Sequence, residues 1–168
     1  MTDYALSALS NEHDISAFAC GEESLDRWLS NEALAAQRSW ASRTHVWTDS
    51  GAPEVLAYFT ILPTTVVPAG LSKRQIGGGR GSIPGYLLAK LALHERLRGR
   101  TPRLGPGLLA DALEMIGTAA DAAGGRLIVV DTLNDRAHAF YRRADFKPIP
   151  DTRRLVMRMS TARAALQA

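Results

Sequence analysis

The sequence predicts a single α/β domain in which strands and helices alternate along the chain. Three observations carry this. Short β-branched and aromatic runs recur at residues 44–48, 55–67, 86–93 and 126–132. Residues 24–40, 108–123 and 134–143 instead repeat their apolar side chains at helical spacing. A length of 168 residues, with 46% hydrophobic and 22% charged side chains, suits one folded domain over residues 1–168 and excludes a disordered or collagen-like chain.

Taken in order, Leu25, Trp28, Leu29, Ala33 and Ala36 form one apolar face, so residues 24–40 read as an amphipathic helix beginning near Gly21. Residues 44–48 read as a strand that ends at the turn string Asp49, Ser50, Gly51, and residues 55–67 return as its hairpin partner. Residues 68–84 hold five glycines and little apolar content, which predicts a mobile connector. The glycine run is not followed by the Lys-Ser/Thr pair and adjoining helix that a phosphate-cradling P-loop requires. The apolar run at 86–93 reads as a buried strand, and Leu109, Leu113, Ile116 and Ala120 mark the helix at 108–123. Residues 126–132 follow Gly124 and Gly125 as a central strand, and Ala137, Phe140 and Tyr141 share one side of the helix at 134–143. Residues 146–150 and 155–159 close the chain as strands.

Cys20, the one cysteine, has no internal disulfide partner, and with four scattered histidines it offers no zinc-ligand spacing, so no metal is expected and a reducing compartment is. The first twenty residues carry acidic groups and no apolar core, unlike a signal peptide, and no apolar run reaches the ~18 residues of a membrane span. Together these predict a cytoplasmic protein without a membrane partner.

Charge is unevenly placed. Residues 1–89 hold six Lys and Arg against nine Asp and Glu, a net of −3, whereas residues 90–168 hold fourteen against eight, a net of +6. Such a basic half suits a phosphate-bearing ligand, although solvated surface arginines give the same count. Arg96, Arg98, Arg100 and Arg103 lead into Gly105, Pro106 and Gly107, between a buried strand and a helix. With Gly105 as N-cap and Pro106 as first helical residue, the helix would begin with exposed amides and the positive end of its dipole, a site for a pyrophosphate. An ordinary glycine turn beside solvated arginines is the competing reading.

The strand YLLAKLAL, the segment RLGPGLL from Arg103 and the helix NDRAHAFYRRADF from Asn134 resemble the GCN5-related N-acetyltransferase (GNAT) family. The segments FACGEESLDRWLSNEA from Phe18 and SRTHVW from Ser42 are similar to the GNAT toxins of bacterial toxin–antitoxin pairs, so the resemblance covers residues 18–159. It implies a mixed, mostly antiparallel twisted sheet flanked by helices and splayed between its two central strands. It also implies an enzyme that moves the acetyl group of acetyl-CoA to an amine. For the toxins that amine is the amino group of aminoacyl-tRNA, whose acetylation blocks translation. The alternatives are a GNAT acting on a small amine or a protein amino group, and an inactive GNAT-like binding protein.

The resemblance assigns acetyl-CoA contacts to Leu91, Ala92 and Leu93 on the strand and to Arg98, Arg100 and Arg103 in the loop. Leu104, Gly105, Pro106, Gly107 and Leu108 follow at the helix start. The family loop motif is met cleanly by Gly105 and Gly107, while Pro102 and Arg103 depart from it. Asn134, Ala137 and Tyr141 match the Asn-x-x-Ala-x-x-x-Tyr helix. Tyr141 becomes the catalytic residue that returns a proton to the departing CoA sulfur; the other reading is a half-buried tyrosine anchoring its helix. Asn134 reads equally as a cofactor ligand or a helix cap, and Phe140 as a cofactor contact or core. Asp145 stands where the family has glycine, in a position that tolerates a left-handed backbone. His94 reads as a base near the site or as a structural or solvated histidine. Candidate tRNA contacts are Arg38, Arg43, Lys73, Arg74, Arg142 and Arg143, with Arg153 and Arg154, each of which also reads as solubilising charge. Trp28, Trp40 and Trp47 read as core or edge packing, with base stacking as the alternative. A separate antitoxin protein and a homodimer are the further partners the resemblance implies.

Overall fold

The computed structural model describes residues 4–68, 70–72, 75, 77 and 81–168. Its elements are β1 (Tyr4–Ala8), α1 (Glu23–Asn31), α2 (Ala33–Arg38), β2 (Arg43–Asp49), β3 (Ala57–Val66) and β4 (Ile83–Leu93), followed by a 3₁₀ turn (Glu95–Leu97). Then come α3 (Gly105–Ala123), β5 (Leu127–Asp131), α4 (Asp135–Arg143), β6 (Lys147–Pro148), β7 (Arg154–Arg158) and α5 (Met159–Leu166). The hydrogen-bonded strand order is β1-β2-β3-β4-β5-β7-β6. Pairs β1–β2, β2–β3, β5–β7 and β6–β7 are antiparallel, and β4–β5 is parallel. Strands alternating with flanking helices bear out the expected mixed α/β fold.

Contacts group the described residues into two units, one up to Leu62 with Lys90–Leu109, the other Pro63–Ala89 with Ala110–Ala168. In the first, β2 and β3 form the expected hairpin, in register from Arg43↔Ile61 to Trp47↔Ala57. One face of this hairpin presents Val46 and Tyr58 to Leu29 and Ala33 of α1 and α2, with Phe18, Cys20 and Ala92 in the same cluster. Each such aliphatic or aromatic burial contributes ~1.5–3 kcal/mol. The expected helix at 24–40 is broken at Glu32, whose φ of −128° leaves the helical region. Gln37, buried in α2, ties that helix to the sheet. Its amide donates to the carbonyls of Leu9 and Thr44, and its carbonyl accepts the Thr44 N–H at 2.8 Å.

In the second unit, Val66, Ile83, Leu127, Val129 and Val156 form one cluster of the buried core. Two glycines allow the central strands to meet. A Cβ on Gly85 would lie 2.5 Å from the Leu127 carbonyl oxygen, and one on Gly125 would overlap the Tyr86 ring. The parallel β4–β5 ladder is short, running from Gly85↔Leu127 to Leu87↔Val129, and it ends six residues before β4 does.

Three elements differ from the sequence reading. β1 had no signal because four of its five residues are exposed; its pairing with β2 through Leu6↔Trp47 makes it a strand. The last strand stops at Arg158, and the alanine-rich residues after it form α5 rather than continuing extended. The strand at 146–150 shrinks to Lys147–Pro148.

Candidate active site

Residues 90–109, from the end of β4 to the first turn of α3, lie within the first unit. Ala92 is buried in the core cluster, so strand alternation sets Leu91 and Leu93, both half-buried, on the opposite face of β4. His94 caps the 3₁₀ turn: its Nδ1 accepts the Arg96 N–H at 3.1 Å, and its Nε2 lies 3.1 Å from the Ala17 carbonyl. Nδ1 is therefore unprotonated, and Nε2–H donates to Ala17. With both nitrogens occupied and its ring edge-on to Phe18, the buried His94 is structural, and no lone pair is left for a base.

Two of the four loop arginines are engaged within the unit. Arg96 pairs with Glu54 at 2.9 Å, and Arg98 donates to the Cys20 carbonyl beside Gly21. Arg98 thus braces the turn before α1. Arg100 donates to the Arg96 carbonyl at 3.3 Å, and among the described residues neither Arg100 nor Arg103, both exposed, has an ion pair. These two are the cations left for a ligand.

The first bond of α3 runs from the Leu108 N–H to the Leu104 carbonyl at 3.0 Å. Leu104 is therefore the N-cap, with Gly105, Pro106 and Gly107 as the first three helical residues, one step earlier than the sequence reading placed them. The amides of Gly105 and Gly107 have no intrahelical acceptor there, and Pro106, lacking an N–H, forfeits no helical bond. A Cβ on Gly107 would come within 3.7 Å of the Trp47 ring. Gly107 is exposed and Gly105 half-buried at the positive end of a nineteen-residue helix.

Helix α4 lies in the second unit. Asn134 is its N-cap, its Oδ1 accepting the Ala137 N–H at 2.9 Å. The C-terminus closes with two bonds: Asp145 N–H to the Arg142 carbonyl and Phe146 N–H to the Tyr141 carbonyl, both 3.1 Å. This is a Schellman cap, with Asp145 at φ +70° in the left-handed position. Asp there fulfils the sequence expectation. Phe146, buried, packs edge-on to Tyr141 at 5.3 Å, and Phe140 does so at 5.1 Å.

Two aromatic rings and a backbone cap thus fix Tyr141. Among the described residues nothing hydrogen-bonds its hydroxyl. Burial pushes the phenol well above its ordinary range, so it is protonated at neutral pH.

Arg38, Arg142 and Arg143 are exposed and have no ion pair among the described residues. Arg43 lies over the Trp40 ring, 4.4 Å from its centroid, and donates to the Gln37 carbonyl. Arg153 pairs with Asp135, and Arg154 makes a two-pronged contact with Asp131 at 2.8 Å. Lys73 and Arg74 lie outside the described residues. Trp47 is buried and stacked on Tyr4, and Trp28 is stacked on Tyr58, as core or edge packing would have it; Trp40 is 77% exposed, which sequence periodicity gave no means of seeing. No metal-binding cluster is present among the described residues, and no helix is long and apolar enough to cross a membrane.

The mixed sheet with a short parallel central ladder, the glycine-started helix and the buried helical tyrosine are features the resemblance to the GNAT fold implies. The solved structure of AtaT complexed with acetyl-methionyl-tRNAfMet superposes with a TM-score of 0.86 at 26% identity, covering 97% of this chain and 99% of that one. The AtaTR structure bound with acetyl-CoA gives 0.85 at 27%, covering 98% and 99%. No family model matches the chain. A protein of Mycobacterium tuberculosis described as a tRNA-acetylating toxin is 35% identical over 159 residues, 94% of this chain and 93% of the relative. This chain belongs to the family of tRNA-acetylating toxins.

Proposed function

We propose that this protein transfers the acetyl group of acetyl-CoA to the α-amino group of an aminoacyl-tRNA and so removes that tRNA from translation. The observation that carries the reading is the 35% identity, over 94% of this chain, with a protein described as a tRNA-acetylating toxin. The site chemistry agrees with it. Acetyl-CoA supplies an activated acyl group on a thiol leaving group.

The Gly105 and Gly107 amides at the α3 N-terminus, with Leu104, Pro106 and Leu108 shaping the turn, take the diphosphate, and Arg100 and Arg103 add charge. Arg98, also assigned to the cofactor, acts by holding the turn at Cys20. Leu91, Ala92 and Leu93 offer strand backbone to the pantetheine arm. Asn134 and Ala137 form the first turn of α4, Phe140 and Phe146 hold the ring of Tyr141, and the Tyr141 hydroxyl is the group that donates a proton to the departing sulfur.

A phenol is ordinarily a weaker acid than a thiol, ~10 against ~8.5, and burial widens the demand. The same dry surroundings disfavour a bare thiolate, so the sulfur's proton affinity rises with the phenol's. No base from the chain is needed, because an α-amine titrates near ~7.7–8.0 and is already partly neutral at pH 7. His94 being tied to Ala17 and Arg96 is consistent with that.

Exposed Arg38, Arg142 and Arg143, half-buried Arg43, and Lys73 and Arg74 supply sequence-blind phosphate contacts. The substrate places the protein in the cytoplasm, and its toxicity calls for a separate antitoxin polypeptide. Labelled acetyl-CoA offered to charged tRNA, deacylated tRNA and a polyamine tests the reading. Label should enter the charged tRNA alone. Label on the polyamine with none on charged tRNA would replace it with a small-amine GNAT.

A further inference from the structure

Helix α2 ends in a Schellman cap: the Ala41 N–H bonds the Ala36 carbonyl at 3.1 Å and the Trp40 N–H the Gln37 carbonyl at 3.4 Å. The left-handed position of this cap, at φ +62°, is filled by Trp40. Glycine is the usual occupant because any Cβ is strained there, and an aromatic residue is an outlier. The ring is 77% exposed, so its burial adds little to folding. A strained position filled by an exposed aromatic side chain points to a role in recognition.

The surroundings say what would be recognised. The Arg43 guanidinium covers one face of the indole at 4.4 Å and is itself fixed by the Gln37 carbonyl at 3.2 Å, so the ring is held and its other face stays open. Arg38, exposed, sits two residues before Trp40, and residues 33–48 contain no carboxylate. A flat apolar ring set among cations suits a partner that is both flat and anionic. Such a partner is a nucleotide, and only an unpaired base has a face free to stack. A second copy of this chain fits poorly, since a two-fold contact through Trp40 would bring the Arg38 and Arg43 pairs together.

We infer that Trp40, held out by the α2 cap and backed by Arg43, is a stacking platform for an unpaired nucleotide of the tRNA substrate. The inference rests on the proposed substrate, and its test is separable from it.

Anisotropy of labelled, uncharged tRNA reads binding without any chemistry. W40A and W40G should each weaken tRNA affinity about tenfold, W40F should stay within about threefold of the native protein, and acetyl-CoA affinity should not change. W40G also relieves the backbone, so a folding defect cannot explain its loss. Native affinity in both W40A and W40G would overturn the platform. So would sedimentation showing that W40A turns a dimer into monomers while tRNA affinity is kept. A native protein that binds tRNA through Trp40 but acetylates no charged tRNA would sink the substrate and leave the platform standing; the reverse pattern would sink the platform alone.

Discussion

Helices α2 and α4 end in the same backbone device and use it for opposite purposes. Both close with a Schellman pair of hydrogen bonds around a non-glycine residue in the left-handed region, Trp40 at φ +62° and Asp145 at φ +70°. After α4 the chain turns inward: Phe146 is buried and its ring locks Tyr141. After α2 the left-handed residue itself projects into solvent, and Ala41, which follows, is exposed. Asp is one of the few side chains that tolerate this backbone, so the α4 cap is inexpensive and serves to position a buried phenol. Trp gains no such relief. One motif therefore fixes a group inside the protein and holds another outside it, and only the outward one carries a residue that folding disfavours.

The largest expected effect is at the inward cap. Y141F should lower kcat by about 10²–10⁴, the range of general acid catalysis, with acetyl-CoA affinity unchanged. An undiminished kcat in a pre-steady-state assay would leave Tyr141 only its packing role. F146A should cost about 3–5 kcal/mol in denaturant unfolding, the usual range for a buried Phe→Ala. Because Phe146 packs on Tyr141, it should also lower kcat at temperatures where the protein remains folded.

The two caps then part. W40G should stabilise the protein by about 1 kcal/mol while weakening tRNA binding, because glycine suits the left-handed backbone and offers no ring. D145G should change stability by less than about 1 kcal/mol and leave both binding and kcat alone. If D145G stabilised the protein as much as W40G, the contrast between a tolerated and a strained cap would be lost.

The smallest effect concerns pH. Burial, followed by Asp26, pushes the Cys20 thiol up to about 12, and burial holds Tyr58 and Tyr141 above the ordinary phenol range. Above pH ~9 the unfolded chain releases these protons before the folded one does, so their share of stability, complete below that point, is lost as pH rises further. C20A should flatten the first part of this alkaline decline in a thermal-melt series between pH 8 and about 10.

Much of this was legible in the sequence. The hairpin, the central strands and the helices bearing the glycines and Tyr141 follow from hydrophobic period. The left-handed turn at Asp145 followed from the residue type and the resemblance together. What stayed hidden depended on partners far along the chain. His94 carries the same letter as base or brace, and the Ala17 carbonyl decides it from seventy-seven residues away. β1 offers Tyr-Ala-Leu-Ser-Ala, with four exposed residues, and only its register with β2 makes it a strand. Gly85 looks like any strand glycine until Leu127 is seen against it. Trp40 lacks the glycine that usually announces a Schellman turn, so its cap was unreadable, and helical spacing assigned it to packing.

The site of acetylation is open to direct reading. Native protein is incubated with acetyl-CoA and charged tRNA, the RNA is digested, and the 3′-terminal aminoacyl-adenosine is examined by mass spectrometry. The added acetyl group should sit on the α-amino nitrogen of the amino acid, forming far more slowly with Y141F. An unmodified aminoacyl-adenosine, or acetyl found on the nucleotide instead, would contradict acetyl transfer to the aminoacyl amine.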